Sequence, residues 1–176
     1  LLASASAWNR IYRRAFFLES GVGYPGRVWF EDIRTTMKLF ALAQRIEAVP
    51  EAFYYYVVRE GSITRNGNAA RNREILEAFD DLLAFYRQQG FYERYQNELC
   101  RLAIDHIYLA ASVRVLMIDR KNPLLSEFAA YMHANFPGYQ NNPYLKELSK
   151  PRRLAFSLLE KKRYGTLYLL FRAKGH

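Results

Sequence analysis

The stretch GVGYPGRVWFEDIRTTMKLFALA, residues 21–43, joins a glycine-rich loop to a helical pattern. Three glycines and Pro25 lie in its first six residues, and two carboxylates, Glu31 and Asp32, stand where apolar residues begin to recur at helical spacing. A helix N-terminus offers free N–H groups and a partial positive charge, which keep a carboxylate ionised. Asp32 is therefore either a helix cap, a role that Asp favours, or a chemically active carboxylate.

Two strands are predicted around this helix. Residues 7–12 read as a short strand, and residues 52–58, AFYYYVV, give the strongest strand signal because they are aromatic and β-branched. A short helix over residues 13–20 is closed by Gly21, and residues 59–67 form a polar loop. The first 70 residues are therefore expected to be mixed α and β.

After residue 70 the pattern is helical throughout. Helices are predicted over about 75–86, 92–119 and 123–136, and shorter ones follow Pro143 and Pro151. Residues 102–118 are apolar on nearly every face, which is typical of the central helix of a bundle. The predicted class is mainly α with a small β portion, divided into residues 1–70, 71–149 and a basic tail, 150–176.

Composition and motifs exclude several classes of protein. Hydrophobic residues make up 51% of the chain, which rules out disorder, and a single cysteine, Cys100, precludes an internal disulfide. No apolar run reaches the roughly 18–20 residues of a membrane span, and nothing resembles a signal peptide. Metal-ligand spacing, a Walker loop and a GxGxxG motif are also missing. Asp105 and His106 are adjacent in a helix and so point about 100° apart, which favours a structural pair over a catalytic one.

Most of the net charge of +9 lies in the tail. Residues 150–176 hold eight basic residues and one acid, Glu160, whereas residues 1–149 hold 18 basic and 16 acidic residues. Two basic clusters flank the apolar residues 154–159, a pattern that predicts binding to an anionic membrane surface. The alternative is that these leucines pack on the bundle while the charges face water. Nucleic-acid binding is not expected, because the tail is too apolar and contains no recognised module.

Three motifs in order carry a resemblance. The run AWNRIYRR at residues 7–14, the loop Gly21…Tyr24-Pro-Gly…Trp29-Phe-Glu-Asp, and Tyr54-Tyr-Tyr…Arg59-Glu-Gly-Ser-Ile63 together resemble bacterial family 2 glycosyltransferases of the GT-A fold. The resemblance implies the second half of a GT-A domain followed by a helical bundle. The family's nucleotide-binding N-terminal half, with its metal-binding D-x-D, has no counterpart here, so the chain is expected to be a piece of a longer enzyme and inactive alone.

The same resemblance implies the chemistry. Asp32 would be the general base of an inverting sugar transfer from a nucleotide sugar to a saccharide or lipid-linked acceptor, with Glu31 in support. Trp29 and Trp8 would offer flat faces to a sugar, although core packing is the favoured role for Trp8. Arg59, Ser62 and Arg65 would close on the diphosphate, and the alternative for them is a solvated loop. No metal site is expected in these residues, although the full-length enzyme would need Mg or Mn. It would make surface polysaccharide or glycolipid in the cytoplasm, at the inner face of the plasma membrane.

A second interpretation remains open. The chain could be a non-catalytic helical module that binds a partner protein or a membrane surface, with the Glu-Asp motif kept as scaffold.

Overall fold

The computed structural model describes residue 2, residues 4–57 and residues 68–173, and the regular elements in these ranges are all helical. Eight α-helices follow one another: α1 Arg14–Glu19, α2 Glu31–Leu42, α3 Glu74–Gln88, α4 Tyr92–Ala103, α5 Ser112–Ile118, α6 Leu124–Asn135, α7 Lys150–Glu160 and α8 Tyr164–Ala173. Short 3₁₀ turns lie at Ala7–Asn9, Ala70–Arg73, Tyr139–Asn141 and Pro143–Glu147.

A π-helical segment, Ile104–Ala111, joins α4 to α5 and makes one continuous rod. The rod lies at the centre of the bundle, as its all-round apolar sequence predicted, and Ile104 and Ile107 are fully buried in it. Cys100, the cysteine of the chain, is also buried in this core.

One apolar core runs from α2 to α8. It contains side chains from each of the long helices, including Met37, Phe79, Ile104, Phe128 and Leu167. Helix α2 packs against α3, so residues on both sides of residue 70 share this core. The division into residues 1–70, 71–149 and 150–176 stays a prediction.

The predicted strands, and with them the expected GT-A half and the α+β class, are wrong for the residues that the structure describes. Residues 7–9 form a 3₁₀ turn, and residues 52–57 have no regular secondary structure. Aromatic residues favour strands only where a pleated neighbour receives them, and the rest of the described chain supplies no such neighbour. Val58, the last residue of the second predicted strand, lies outside the described residues.

The tail divides between core and surface. Leu158, Leu159 and Leu167 are buried, as the packing alternative expected, whereas Leu154 and Leu169 are exposed. In the described part of the chain, no helix combines the length and the apolar character that crossing a membrane requires.

Candidate active site

The glycine-rich loop is folded back onto the helix that follows it. The Thr35 hydroxyl donates to the carbonyl oxygen of Gly23 at 2.9 Å, and the hydroxyls of Tyr24 and Thr36 lie 3.2 Å apart. Both threonines are fully buried, whereas Gly23 and Tyr24 are exposed, so each bond joins the loop surface to the buried face of α2. They fix the course of the loop relative to the start of α2.

Phe30, the residue before the two carboxylates, has a strained backbone. Its φ of 63° and ψ of 34° are left-handed, a region that bulky side chains rarely adopt. It occupies the N-cap position of α2 without a side-chain hydrogen bond. Such strain persists only where the surroundings enforce it, and it is common at functional sites.

Trp29, the residue before Phe30, is buried and held by residues 71–74. Its ring is 7% exposed and is covered by the Arg71 guanidinium, 4.7 Å from the ring centroid. Its backbone N–H donates to Glu74 Oε2 at 2.8 Å, and Glu74 Oε1 accepts from Arg71 at 2.7 Å. Trp29 therefore anchors the loop to α3, and a sugar could stack on this ring only after Arg71 moved. The sugar-binding role of Trp29 stays a prediction.

Asp32 occupies the second position of α2, so it is not the N-cap residue that one interpretation made it. Its Oδ1 accepts the backbone N–H of Ile33 at 2.8 Å. Burial raises the pKa of Asp32 above its usual value, and the negative charge of Glu31 raises it further. The Ile33 N–H and the charge of Arg10 lower that pKa but do not reverse the shift. The result is a half-buried carboxyl that accepts a proton more readily than an exposed Asp does.

Glu31 is exposed at the first position of the same helix. Its side chain therefore reaches solvent next to Asp32. Glu31 and Asp32 are adjacent in the sequence and point about 100° apart on the helix, and the interaction between them that the structure shows is the charge of Glu31 raising the pKa of Asp32.

Arg10 is the residue of this region that the sequence analysis missed. Its Nε and Nη2 donate to Asn9 Oδ1, and its guanidinium lies 4.7 Å from the centre of the Phe40 ring. Its Nη1 is buried and has no hydrogen-bond partner among the described residues. Leaving this N–H unpaired costs free energy, so an oxygen that reached it would be bound favourably, although the atom is closed to solvent in this structure. The only signal in the sequence was its place in the run AWNRIYRR.

Trp8 lies in a different aromatic cluster. Its ring stacks on that of Tyr54, with centroids 4.8 Å apart, and lies tilted against that of Tyr56 at 5.2 Å. All three are exposed, so the expectation that Trp8 packs in the core is wrong, and the sugar-binding role of Trp8 stays a prediction. Arg59, Ser62 and Arg65 lie outside the described residues.

A second charged cluster surrounds the π-helical segment. Asp105 accepts from Arg101 at 3.0 Å and from Arg152 at 2.8 Å, and so joins α4 to α7. Burial lowers the pKa of His106 to about 4, and the charges of Arg114 and Arg152 act in the same direction. The two ion pairs fit the structural interpretation of Asp105.

Neither cluster resembles a metal centre. No three His, Cys, Asp or Glu side chains converge anywhere in residues 4–57 and 68–173. The residues present therefore do not fit a divalent metal, and no chemical step is assigned to one.

No protein-family model, no curated protein sequence and no solved structure matches this chain. What the chain does must therefore be inferred from its own residues.

Proposed function

We propose that this chain contributes the acceptor-activating base of an inverting glycosyltransferase. The observation that supports the proposal is the placement of Asp32: a half-buried carboxyl with a raised pKa, fixed at a helix start behind a strained residue. A general base works best when its pKa approaches the working pH, and burial shifts Asp32 in that direction. The motifs that resemble family 2 glycosyltransferases lead to the same residue.

The proposed step is a single displacement. An acceptor hydroxyl oxygen forms a bond to the anomeric carbon of a nucleotide sugar while its proton passes to Asp32. The bond from that carbon to the diphosphate breaks on the opposite face, and the nucleoside diphosphate leaves with the electron pair. Because Oδ1 accepts the Ile33 N–H, Oδ2 is the oxygen proposed to take the proton.

Nearby side chains would position the acceptor. Arg10 would donate its unpaired Nη1–H to an acceptor oxygen, and the exposed Glu31 would hold a second hydroxyl. Holding the reacting oxygen beside its base supplies much of the rate of such a reaction. Trp8 would contribute its exposed ring, and Arg59, Ser62 and Arg65 would contact the diphosphate.

The remaining parts of the proposal concern the full-length enzyme. It would use Mg or Mn, held by residues other than those described here. It would transfer sugar to a saccharide or lipid-linked acceptor in surface polysaccharide or glycolipid synthesis, in the cytoplasm at the inner face of the plasma membrane.

A second candidate is a non-catalytic helical module that binds a protein or a membrane. The observation in its favour is the helical architecture itself, which has a single core and no sheet among the described residues. The two candidates differ in what they require of Asp32, because only the first needs its proton affinity.

The test replaces Asp32 in the full-length enzyme that carries this chain. Asp32→Asn keeps an oxygen that can accept the Ile33 N–H but cannot take a proton. We expect turnover of nucleotide sugar to fall by about 10²–10⁴-fold while donor binding and the melting temperature are kept. Asp80→Asn is the matched control, because Asp80 is exposed and accepts a hydrogen bond from Tyr131 that an amide can also accept. Near-normal turnover of the Asp32→Asn enzyme would show that Asp32 is structural and would favour the module.

A further inference from the structure

One end of the bundle combines exposed apolar side chains with unpaired positive charge. Helix α8 is held to the core by Leu167, which is 1% exposed, yet Leu169 on the same helix is 63% exposed. At the end of α5, Ile118 is 46% exposed. Because α5 and α8 pack together, these apolar groups belong to neighbouring elements.

Between these elements lies an open groove of about 580 Å³. The groove is lined by one face of α8, including Tyr164, Gly165 and Tyr168, and by residues 116–121. Residues four apart share a helix face, so Leu169 continues the stripe of Gly165 and Arg172 continues that of Tyr168. An apolar residue and a cation thus extend the groove along α8.

The groove is cationic. Arg120 and Lys121 line it, and the Arg120 guanidinium lies 5.0 Å from the centre of the Tyr168 ring. Lys38, Arg71 and Arg73 each have a carboxylate partner, whereas Arg120, Lys121 and Arg172 have none within 4.0 Å among the described residues. The one acid of the groove, Asp119, accepts the backbone N–H of Lys121.

Three more cations lie between α7 and α8 and add to the positive charge of the groove. Lys161, Lys162 and Arg163 are exposed, and the described residues place no carboxylate within 4.0 Å of them. Six cations that have no acidic partner among the described residues therefore lie in the groove, on α8 or in the turn before it.

We propose that Ile118, Arg120, Lys121, Leu169 and Arg172, which we call the α8 surface, bind the face of an anionic lipid bilayer. Headgroup phosphates would lie in the groove against Arg120 and Lys121, and Leu169 and Ile118 would enter the boundary between headgroups and acyl chains. Interfacial helices bind through this pairing of apolar area and basic charge. Nucleic acid would leave the exposed leucine without a partner, and an apolar protein groove would not use the cations. The proposal does not depend on sugar transfer.

The test is co-sedimentation of the 176-residue chain with two kinds of vesicle. Neutral vesicles contain phosphatidylcholine alone, and in anionic vesicles about one lipid in three is phosphatidylglycerol. We expect recovery only with the anionic vesicles at low salt and a loss of recovery as salt screens the charges. Arg120→Gln should weaken binding about fivefold, which corresponds to ~1 kcal/mol for one cation at the surface. Leu169→Ser should also weaken it, because it removes the apolar contact.

Two matched variants test whether binding depends on the α8 surface or on any exposed arginine or leucine. Arg94→Gln removes an exposed arginine that also lies over an aromatic ring, 5.2 Å from the centre of Tyr95. Leu18→Ser removes a leucine that is 58% exposed on α1. Both should bind vesicles as the unchanged chain does.

Three results would overturn the proposal: equal recovery with neutral and anionic vesicles, equal losses in the matched variants, or no effect of Leu169→Ser. Inorganic phosphate distinguishes a lipid headgroup from a free phosphate ion as the ligand of the groove. Because Leu169 and Ile118 also contact the bilayer, millimolar phosphate at constant ionic strength should leave most of the chain on anionic vesicles. Complete displacement would show that phosphate contacts in the groove alone hold the chain, and the membrane proposal would fail.

Discussion

The Tyr86 hydroxyl donates a hydrogen bond to the main-chain carbonyl oxygen of Met37 across 2.8 Å. Both side chains are fully buried, so the bond crosses the interface between α3 and α2 without access to water. Burial raises the pKa of Tyr86 far above its ordinary value, which keeps the phenol protonated and able to donate. This contact, with the Lys38–Asp81 ion pair at 2.6 Å, fixes the helix that carries Asp32 against the bundle.

We expect Tyr86→Phe to lower the free energy of unfolding by about 1 kcal/mol. The ring remains in place, so the loss is that of one buried hydrogen bond. Urea denaturation followed by circular dichroism measures it. Tyr55→Phe is the control, because Tyr55 is 92% exposed and its hydroxyl faces water. Equal stability of the two variants would show that the bond to Met37 contributes nothing.

Asp32 should titrate above its ordinary pKa in the 176-residue chain. Carbon-detected NMR of its carboxyl group measures this directly, and Glu31→Gln should lower the pKa of Asp32 by removing a like charge. Because the pKa of Asp32 is higher in the folded chain than in the unfolded chain, protonated Asp32 adds to stability below the unfolded pKa. This added stability is lost as the pH rises through the folded pKa. Asp32→Asn should therefore melt no lower than the unchanged chain at pH 7. A clear loss of stability there would mean that the charged form is favoured by the fold.

His106 should make the protein sensitive to acid. Burial and the charges of Arg114 and Arg152 lower its pKa from the ordinary 6.5 of a histidine to about 4. Above pH 6.5, His106 is neutral in both the folded and the unfolded chain and does not affect stability. Between pH 6.5 and 4 the unfolded chain takes up a proton that the folded chain does not, so the free energy of unfolding falls. We expect a loss of up to about 3 kcal/mol across this range, measured by denaturation at each pH.

His106→Gln tests the origin of that slope. Glutamine stays neutral throughout, so the pH dependence between 6.5 and 4 should flatten. His133→Gln is the control, because His133 is exposed on α6. A slope that survives in His106→Gln would assign the acid sensitivity to another group.

The 176-residue chain alone should transfer no sugar. A departing diphosphate needs neutralising charge, and the described residues gather no carboxylates or histidines to hold a metal. Incubation with a panel of nucleotide sugars, with Mg or Mn present, should release no nucleoside diphosphate above a buffer blank. Turnover above that blank would show that the chain contains a complete active site.

Much of the helical architecture follows from the sequence. The periodic apolar residues, together with Gly90, Pro123 and Pro143, place α3, α4, α6 and the 3₁₀ turn at Pro143–Glu147 to within a few residues. The all-round apolar segment at residues 102–118 identifies the central rod. This is so because each helix forms its hydrogen bonds within itself, and its buried face can be read from nearby residues.

The tertiary structure decided the rest. A strand obtains its hydrogen bonds from another segment, so the aromatic residues 52–57 could not specify a sheet by themselves. The sequence located Glu31 and Asp32 at a helix start, but the left-handed Phe30, the burial that raises the pKa of Asp32 and the nearby charge of Arg10 depend on contacts between distant residues. Likewise, the charge pattern marked the tail, whereas packing against the core determined that Leu167 is buried and Leu169 is exposed.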